Sequence, residues 1–346
     1  MIAPIIESES EAFDGVHALI RHLSAANDGF MPADSGASSL FSMIACSGLL
    51  GITVPSEYGG ADVSNMVLGE IVLSAASADR TAAAWLASHF HSVELLRGSP
   101  AAGPCGYFYG RALAGDLFMT IGDAGGTSKI GTLTLLPETA KPGWRLNGCL
   151  ESTIDPIHAD WIVIRFSDHS GDRTAFIPRM TTGLRLTPEQ VNFSNVHIDA
   201  DCFVSLAAHH LATAEPLANL LQSAQKLGWA ERKLNEMVAL HARTPPRRRT
   251  LGRQYLSALG LIVSRIENGK AALERAGRKI DTAQVNTDEE TTRKAIFSAE
   301  IALAGASEAY DLAAEIDTDR LPPNWNSMDP YGHAPIGARL LENSLH

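Results

Sequence analysis

Two histidines one residue apart, His89 and His91 in SADRTAAAWLASHFHS, offer the plainest chemistry in the chain. Imidazole can ligate a metal or exchange a proton near neutral pH. On a helix, residues two apart point in different directions, which argues against one shared metal ion. The pair is expected at a helix end open to solvent or to a cleft, with an acid/base role as the functional alternative. A second cluster, Arg247, Arg248 and Arg249 in TPPRRRTLGR, could clamp phosphates, because guanidinium groups bind them bidentately. A solvated helix start after the two prolines accounts for it equally well. Cys46, Cys105, Cys149 and Cys202 lie far apart with no CxxC pair. None sits in a visibly basic or helix-start setting, so they read as reduced, mostly buried thiols with no catalytic or metal-binding role.

Three kinds of element must position these groups. Residues 1–115 read as helical: SSLFSMIACSGLL places Leu40, Met43, Ile44 and Leu49 or Leu50 on one face, and Val67, Ile71, Ala75 and Ala78 recur at helical spacing. From 116 to 205 the pattern changes to short runs rich in Val, Ile, Thr and aromatic residues, cut by Gly, Pro, Asn and Asp, which predicts a small β-sandwich or barrel. Within it, Asp160 reads as a turn or capping residue and Trp161 as core packing at a strand start. From 206 to 346 the 3.6-residue period returns after Pro216, with Leu217, Leu220, Leu221, Ala224, Leu227, Leu234 and Val238 as one stripe and Leu259, Val263 and Ile266 as another. Pro245 and Pro246 must separate the two helices. The expected class is α+β: a helical domain, a small β domain and a four-helix bundle.

Composition narrows the function classes. Across 346 residues, 45% hydrophobic and 19% charged residues describe a folded chain, and no apolar run reaches the ~20 residues of a membrane span. A formal net charge of −11 argues against nucleic-acid binding. MIAPIIESESEAFDG lacks the basic start and apolar stretch of a secretory signal, so a cytoplasmic location is expected.

The segment GLLGITVPSEYGG, Gly48 to Gly60, gives the layout a precedent. It resembles the first-domain signature of the acyl-CoA dehydrogenase superfamily, in which GL-x-GI-x-VP leads into a YGG turn. The adjacent glycines would shape a turn between helices where a Cβ clashes or φ is positive. GWRLNGCLESTIDPIHADWIVI, VNFSNVHIDADCFV and LGWAERKLNEMVALHAR are similar to later segments of that family, and SADRTAAAWLASHFHS is closer to its flavin monooxygenase branch.

The resemblance implies FAD between the β domain and the bundle, with a neighbouring subunit completing the site. Gly126 and Thr127 match the family's Gly-Ser pair at the flavin, although Ile121, Gly122 and Asp123 replace its Thr-Glu-Pro. Ser152 stands where the family has an aromatic residue, and Ile154 where it has a hydroxyl near the reactive edge. Arg243 and Gln254 keep the spacing of an FAD-binding pair in the bundle, with Pro246 and Arg247 at its Phe-Gly places. Asp311 and Ala313-Ala314 replace a Q-x-x-GG motif, which sets an acid and two methyls beside a pyrophosphate. The FAD site is thus altered or lost, and FMN is the alternative if the chain is a monooxygenase. Arg247 to Arg249 could meet phosphates of FAD or of a CoA tail.

For the base of a dehydrogenase, Glu215 is the best substitute, since NWNSMDPYGHAPIGARLLEN offers only Asp329 and Glu342. For a monooxygenase, Trp325 and His333 loosely match the terminal aromatic-histidine pattern, with His333 exchanging protons near the flavin. The leading expectation is α,β-dehydrogenation of an acyl thioester such as an acyl-CoA, with an electron-transfer partner. The second is a monooxygenase fed reduced flavin by a reductase. The third is a non-catalytic subunit of a heteromeric dehydrogenase. A homodimer, homotetramer or heteromer is expected.

Overall fold

A computed structural model describes residues 4–25, 36–97, 102–121, 133–138, 142–168, 171–205, 211–243, 253–315 and 333–343. The chain begins with helices α1 (Glu9–Ala25) and α2 (Gly36–Cys46), two single 3-10 turns at Leu49–Gly51 and Ser56–Tyr58, then α3 (Asn65–Ala78), α4 (Arg80–Arg97) and α5 (Ala102–Leu113). The YGG turn falls between the second 3-10 turn and α3. Gly59 has φ +90°, a conformation open to glycine, and a Cβ on Gly60 would lie 2.0 Å from the Val54 carbonyl oxygen. The two glycines are scaffold, as their sequence context implies.

Among the described residues eight strands follow: β1 (Phe118–Thr120), β2 (Thr134–Pro137), β3 (Gly143–Glu151), β4 (Trp161–Asp168), β5 (Gly171–Pro178), β6 (Leu184–Thr187), β7 (Gln190–Asp199) and β8 (Phe203–Ser205). They form two four-stranded sheets, ordered β1-β4-β5-β8 and β2-β3-β7-β6. All pairings are antiparallel except β1 with β4, where Phe118 lies opposite Trp161. That parallel pair is where α5 hands the chain to the sheets. An aromatic cluster fills the joint: Phe108 stacks on Phe176 with centroids 4.5 Å apart, and Phe118 meets Trp161 edge to face at 6.0 Å.

Among the described residues four helices follow: α6 (Leu211–Arg243), α7 (Arg253–Val285), α8 (Glu289–Glu315) and α9 (Ala334–Asn343). α8 packs on α6 and α7, α9 on α7, and α3 lies across α6 and α7. The predicted leucine stripe of α6 is buried from Leu217 to Leu234. On α8 the buried face is Ala295, Ala299, Ala302, Ala306 and Ala309, small side chains that let helix axes approach closely. Gly228 does the same for α3 and α6, since a Cβ there would stand 2.2 Å from the Leu73 carbonyl oxygen. One expectation changes: α6 starts before Pro216, at Leu211, and carries the proline inside its early turns. The lost N–H costs one bond at a position close to the helix start, where few bonds depend on it.

Among the described residues, no helix is long and apolar enough to cross a membrane, and no group of three His, Cys, Asp or Glu side chains could hold a metal ion.

Candidate functional site

α4 runs through the interior, with nearly every residue from Ala82 to Leu96 buried. Asp79 sets its start: the carboxylate accepts the Ala82 N–H at 2.8 Å, while Asp79's own N–H closes α3 on the Ala75 carbonyl. Arg80, Ala84, Ala87, Ser88 and His91 stand at i, i+4, i+7, i+8 and i+11, so they share one stripe. That stripe forms one wall of a cavity of about 720 Å³, whose other walls are Thr120 of β1, residues 153–155 after β3, and α6 around Asn219 and Gln222. Small side chains on α4 leave the room, and the histidine stands at one end of it.

Neither histidine is open to solvent, but of the two places expected for them, His91 does occupy a cleft. His89 is fully buried and faces away from the cavity. Its Nε2 donates to the Leu50 carbonyl at 2.8 Å, and its Nδ1 accepts the Phe118 N–H at 3.1 Å. The ring lies 5.4 Å from that of Phe118 and nearly parallel to it. His89 therefore ties α4 to the first 3-10 turn and to β1. His91 is 5% exposed and lines the cavity, and its Nε2 has no hydrogen-bond partner among the described residues. Burial lowers both imidazoles to a pKa of about 4, and the charge of Arg165 adds to the effect on His91. At neutral pH the cavity thus holds a neutral imidazole with an unused nitrogen.

Hydroxyl groups brace the wall beside it. Ser92 Oγ donates to the Ser88 carbonyl at 2.7 Å, so the 2.7 Å contact between Ser92 and Thr120 hydroxyls must have Thr120 as its donor. Ser88 Oγ accepts the Thr120 N–H at 3.0 Å. After β3, Ser152 Oγ donates to the Ile154 carbonyl, and Asp155 accepts the Ile157 N–H at 2.9 Å. These bonds shape the loop that presents Ile154 and Asp155 to the cavity. From α6, Asn219, Gln222 and Gln225 contribute neutral amides.

The residues singled out in the sequence are only partly brought together. Ser152 adjoins the cavity loop, its hydroxyl committed within that loop. Glu215 is exposed on α6, one turn before Asn219 and on the same helical face, but it does not line the cavity. His333 lies just before α9, its carbonyl accepting the N–H groups of Ile336 and Gly337, and it is not a cavity residue. Arg243 ends α6 and Gln254 is the second residue of α7. Gly126, Thr127, Trp325, Asp329 and Arg247 to Arg249 lie outside the described residues. Asp160 accepts the Leu117 N–H at 2.9 Å, and burial raises its carboxyl above the usual range. Trp161 is buried at the start of β4, with its Nε1 donating to Asp116 at 2.8 Å. The sequence reading missed His91 as the cavity's imidazole, although the spacing of Ala84, Ala87, Ser88 and His91 carries the signal.

A further cavity of about 400 Å³ lies among the strands. Its charged groups already serve one another: Arg145 makes two bonds to Glu138, and His197 contacts both Glu138 and Asp199. His197 Nδ1 is buried there without a well-aligned hydrogen bond, but unlike His91 Nε2 it lies 2.6 Å from a carboxylate oxygen, that of Glu138.

No family model and no curated protein matches the chain. Solved structures do. TdsC from Paenibacillus sp. A11-2, in complex with FMN and indole, superposes with a TM-score of 0.72 at 15% identity, covering 96% of each chain. KijD3 in complex with dTDP gives 0.73 at 20% identity, over 99% of this chain and 92% of that one. A nitrososynthase from Micromonospora carbonacea var. africana gives 0.70 at 16%, over 99% and 92%. Likeness at this level of identity concerns the fold, and the fold is that of the acyl-CoA dehydrogenase superfamily.

Proposed function

We propose that the chain is a flavin-dependent monooxygenase that receives reduced flavin from a separate reductase. The observation that carries this reading is His91, which lines the 720 Å³ cavity and whose buried Nε2 has no hydrogen-bond partner among the described residues. Function resides in a site rather than a fold, and this site holds a neutral proton-handling imidazole on its α4 wall, with Asp155 as its one acidic lining residue among those described. The structures of TdsC and KijD3 with FMN add support by analogy.

The cavity suits a flavin. A flat ring needs apolar faces and a rim of hydrogen-bonding groups, and the cavity supplies Ala84, Ala87, Ile154 and Leu221 beside the amides of α6. Its volume lies within the roughly 300–1,000 Å³ of ordinary ligand sites. A mononucleotide is favoured over FAD. Where an FAD enzyme of this fold places two glycines, α8 carries Ala313, 1% exposed, next to Ala314, with Asp311 two residues before. Gly126, Thr127, Arg243 and Gln254 remain candidates for the flavin's phosphate end. Reduced flavin, when bound, supplies the activation of dioxygen.

The chain's own groups orient and protect. His91, neutral at physiological pH, can donate or accept one proton at the cavity wall, and an anion forming beside it would make acceptance easier. The Ser88–Ser92–Thr120 hydroxyls hold α4 against β1 and so fix that ring. Ile154 and the alanines of α4 keep the interior apolar, which strengthens each remaining hydrogen bond.

The test mixes the protein with photoreduced FMN and then with aerated buffer while flavin absorbance is followed. Reoxidation should differ from that of free FMN, and His91→Phe should return it to the free rate. Identical kinetics with and without protein would remove the proposal. One observation favours α,β-dehydrogenation instead: Glu215 and Asp155 put two carboxylates at or near the cavity, so a base could be recruited from either. Anaerobic bleaching of bound flavin by an acyl-CoA would establish that second reading.

A further inference from the structure

A smaller cavity of about 250 Å³ adjoins the main one, with Arg80, Gln222 and Gln225 lining both. Its remaining wall is Lys226, Trp229 and Tyr310, with Ala76 and Ala83 behind, and among the described residues no acidic group lines it. The two aromatic rings lie 4.3 Å apart. Cations gather on them: the Arg80 guanidinium is 5.8 Å from the Trp229 ring centre, and the Lys226 ammonium 5.4 Å from that of Tyr310.

The way these cations are held is unusual for this chain. Several other cations of the chain have carboxylates: Arg232 and Lys233 share Glu236, and Arg97 is held by Asp62 and Glu94. Arg80 and Lys226 take part in none of the ion pairs among the described residues. Lys226 gives one hydrogen bond, to Ser307 Oγ at 3.0 Å, and Arg80 gives none to a described residue. A π face attracts a cation without using up its N–H donors. Both groups are thus positioned and still able to bind an anion, in a protein whose formal net charge is −11.

We propose that Arg80 and Lys226 form a recognition site for an anionic group, phosphate or carboxylate, on the ligand whose reacting end lies at His91. The proposal rests on the reading of the larger cavity as the reaction site. Arg80 and His91 are eleven residues apart on α4, about 16 Å along the helix axis at 1.5 Å per residue. The ligand is therefore elongated, with its charge and its reactive part at opposite ends. Two sources of such an anion exist, the phosphate of a bound flavin mononucleotide and an acid group on the substrate.

Calorimetric titration of the full-length protein separates them. One arm compares FMN with riboflavin, and the other compares naphthalene-2-carboxylate with naphthalene-2-carboxamide. The anionic member of at least one pair should bind about tenfold more tightly. That preference should vanish in the double variant Arg80→Gln/Lys226→Gln and persist in Lys294→Gln, which removes a cation paired with Glu290 on α8. Preference within the flavin pair assigns the anion to the cofactor, and within the naphthalene pair to the substrate. No preference in either pair, or equal loss in Lys294→Gln, overturns the site. A preference found in a protein that leaves FMN reoxidation unchanged keeps the anion site and sinks the monooxygenase reading. Altered reoxidation without any preference sinks the anion site alone.

Discussion

His89 and His91 share a helix, deep burial and a pKa lowered to about 4, yet they do opposite things. Both ring nitrogens of His89 are bonded to backbone groups of other elements. His91 lines the cavity, and its buried Nε2 has no partner among the described residues. Burial and a shifted pKa are therefore not what marks a site here. The difference is whether folding itself has used the polar group. A buried nitrogen without a partner is costly, of the order of 1–3 kcal/mol, and a chain retains it when something else supplies the partner.

The largest effect expected from this contrast is on activity. His91→Ala should lower flavin-dependent turnover by about 10²- to 10⁴-fold, the usual range for losing a proton-transfer group. In His91→Phe, which keeps most of the buried ring volume, the unfolding free energy at pH 7 should hold or rise, since no hydrogen bond of Nε2 is lost. A loss of stability without a loss of rate would reverse the roles assigned to the two histidines. His89→Leu should do the opposite, costing about 2–4 kcal/mol in urea unfolding because the Leu50 carbonyl and Phe118 N–H are both left unpaired. The residual folded enzyme should turn over normally.

A pH experiment sharpens the same contrast. Each histidine has a native pKa of about 4 against an ordinary value of 6.5. Between these values the unfolded chain binds more protons, so stability rises with pH there. The contribution is fully present above pH 6.5 and is lost as pH falls toward 4, by up to about 3 kcal/mol per histidine. Asp160 and Asp281, raised by burial, act in the opposite sense, and their part cancels when two variants are compared. The stability difference between wild type and His91→Phe should change by about 2 kcal/mol from pH 7 to pH 5. A difference that stays constant would show that His91 is not held neutral in the native protein.

Much of the fold could be read in the sequence because the periods change where the architecture changes. The leucine stripe of α6 and the Gly59-Gly60 turn are local patterns with local causes. The site was harder. α4 is buried on nearly all sides, so ASHFHSVELL has no polar face to tell the observer which way His89 or His91 points. Their separation into a bonded and an unbonded nitrogen depends on Leu50 and Phe118, which are 39 and 29 residues away. Glu215 was chosen through a family pattern, and it lies on the cavity-facing side of α6 but one turn short of the wall. The anion site was hidden for a related reason. Arg80, Lys226 and Tyr310 come from three helices, and only packing shows that no acidic group among the described residues lines the cavity they share.

The smallest effect concerns Ser88, which belongs to both sides of the comparison. Its Oγ accepts the Thr120 N–H, a structural bond, and it also lines the cavity three residues from His91. If the bond matters only to the fold, Ser88→Ala should cost about 1 kcal/mol and leave the kinetics alone. The geometry gives a different expectation. Thr120 is a cavity residue too, so water or ligand can take over its N–H, and the stability cost should fall below 1 kcal/mol. What should change is the placement of the wall: Ser92 still bridges Ser88's carbonyl and the Thr120 hydroxyl, so His91 keeps its position and kcat should hold. KM should rise a few-fold, because a ligand must now share its contacts with a competing N–H donor. Urea unfolding together with steady-state kinetics on this one variant distinguishes the two outcomes. A fall in kcat with KM unchanged would mean that the Ser88–Thr120 bond positions His91 itself, and would extend the reactive side of α4 by one turn.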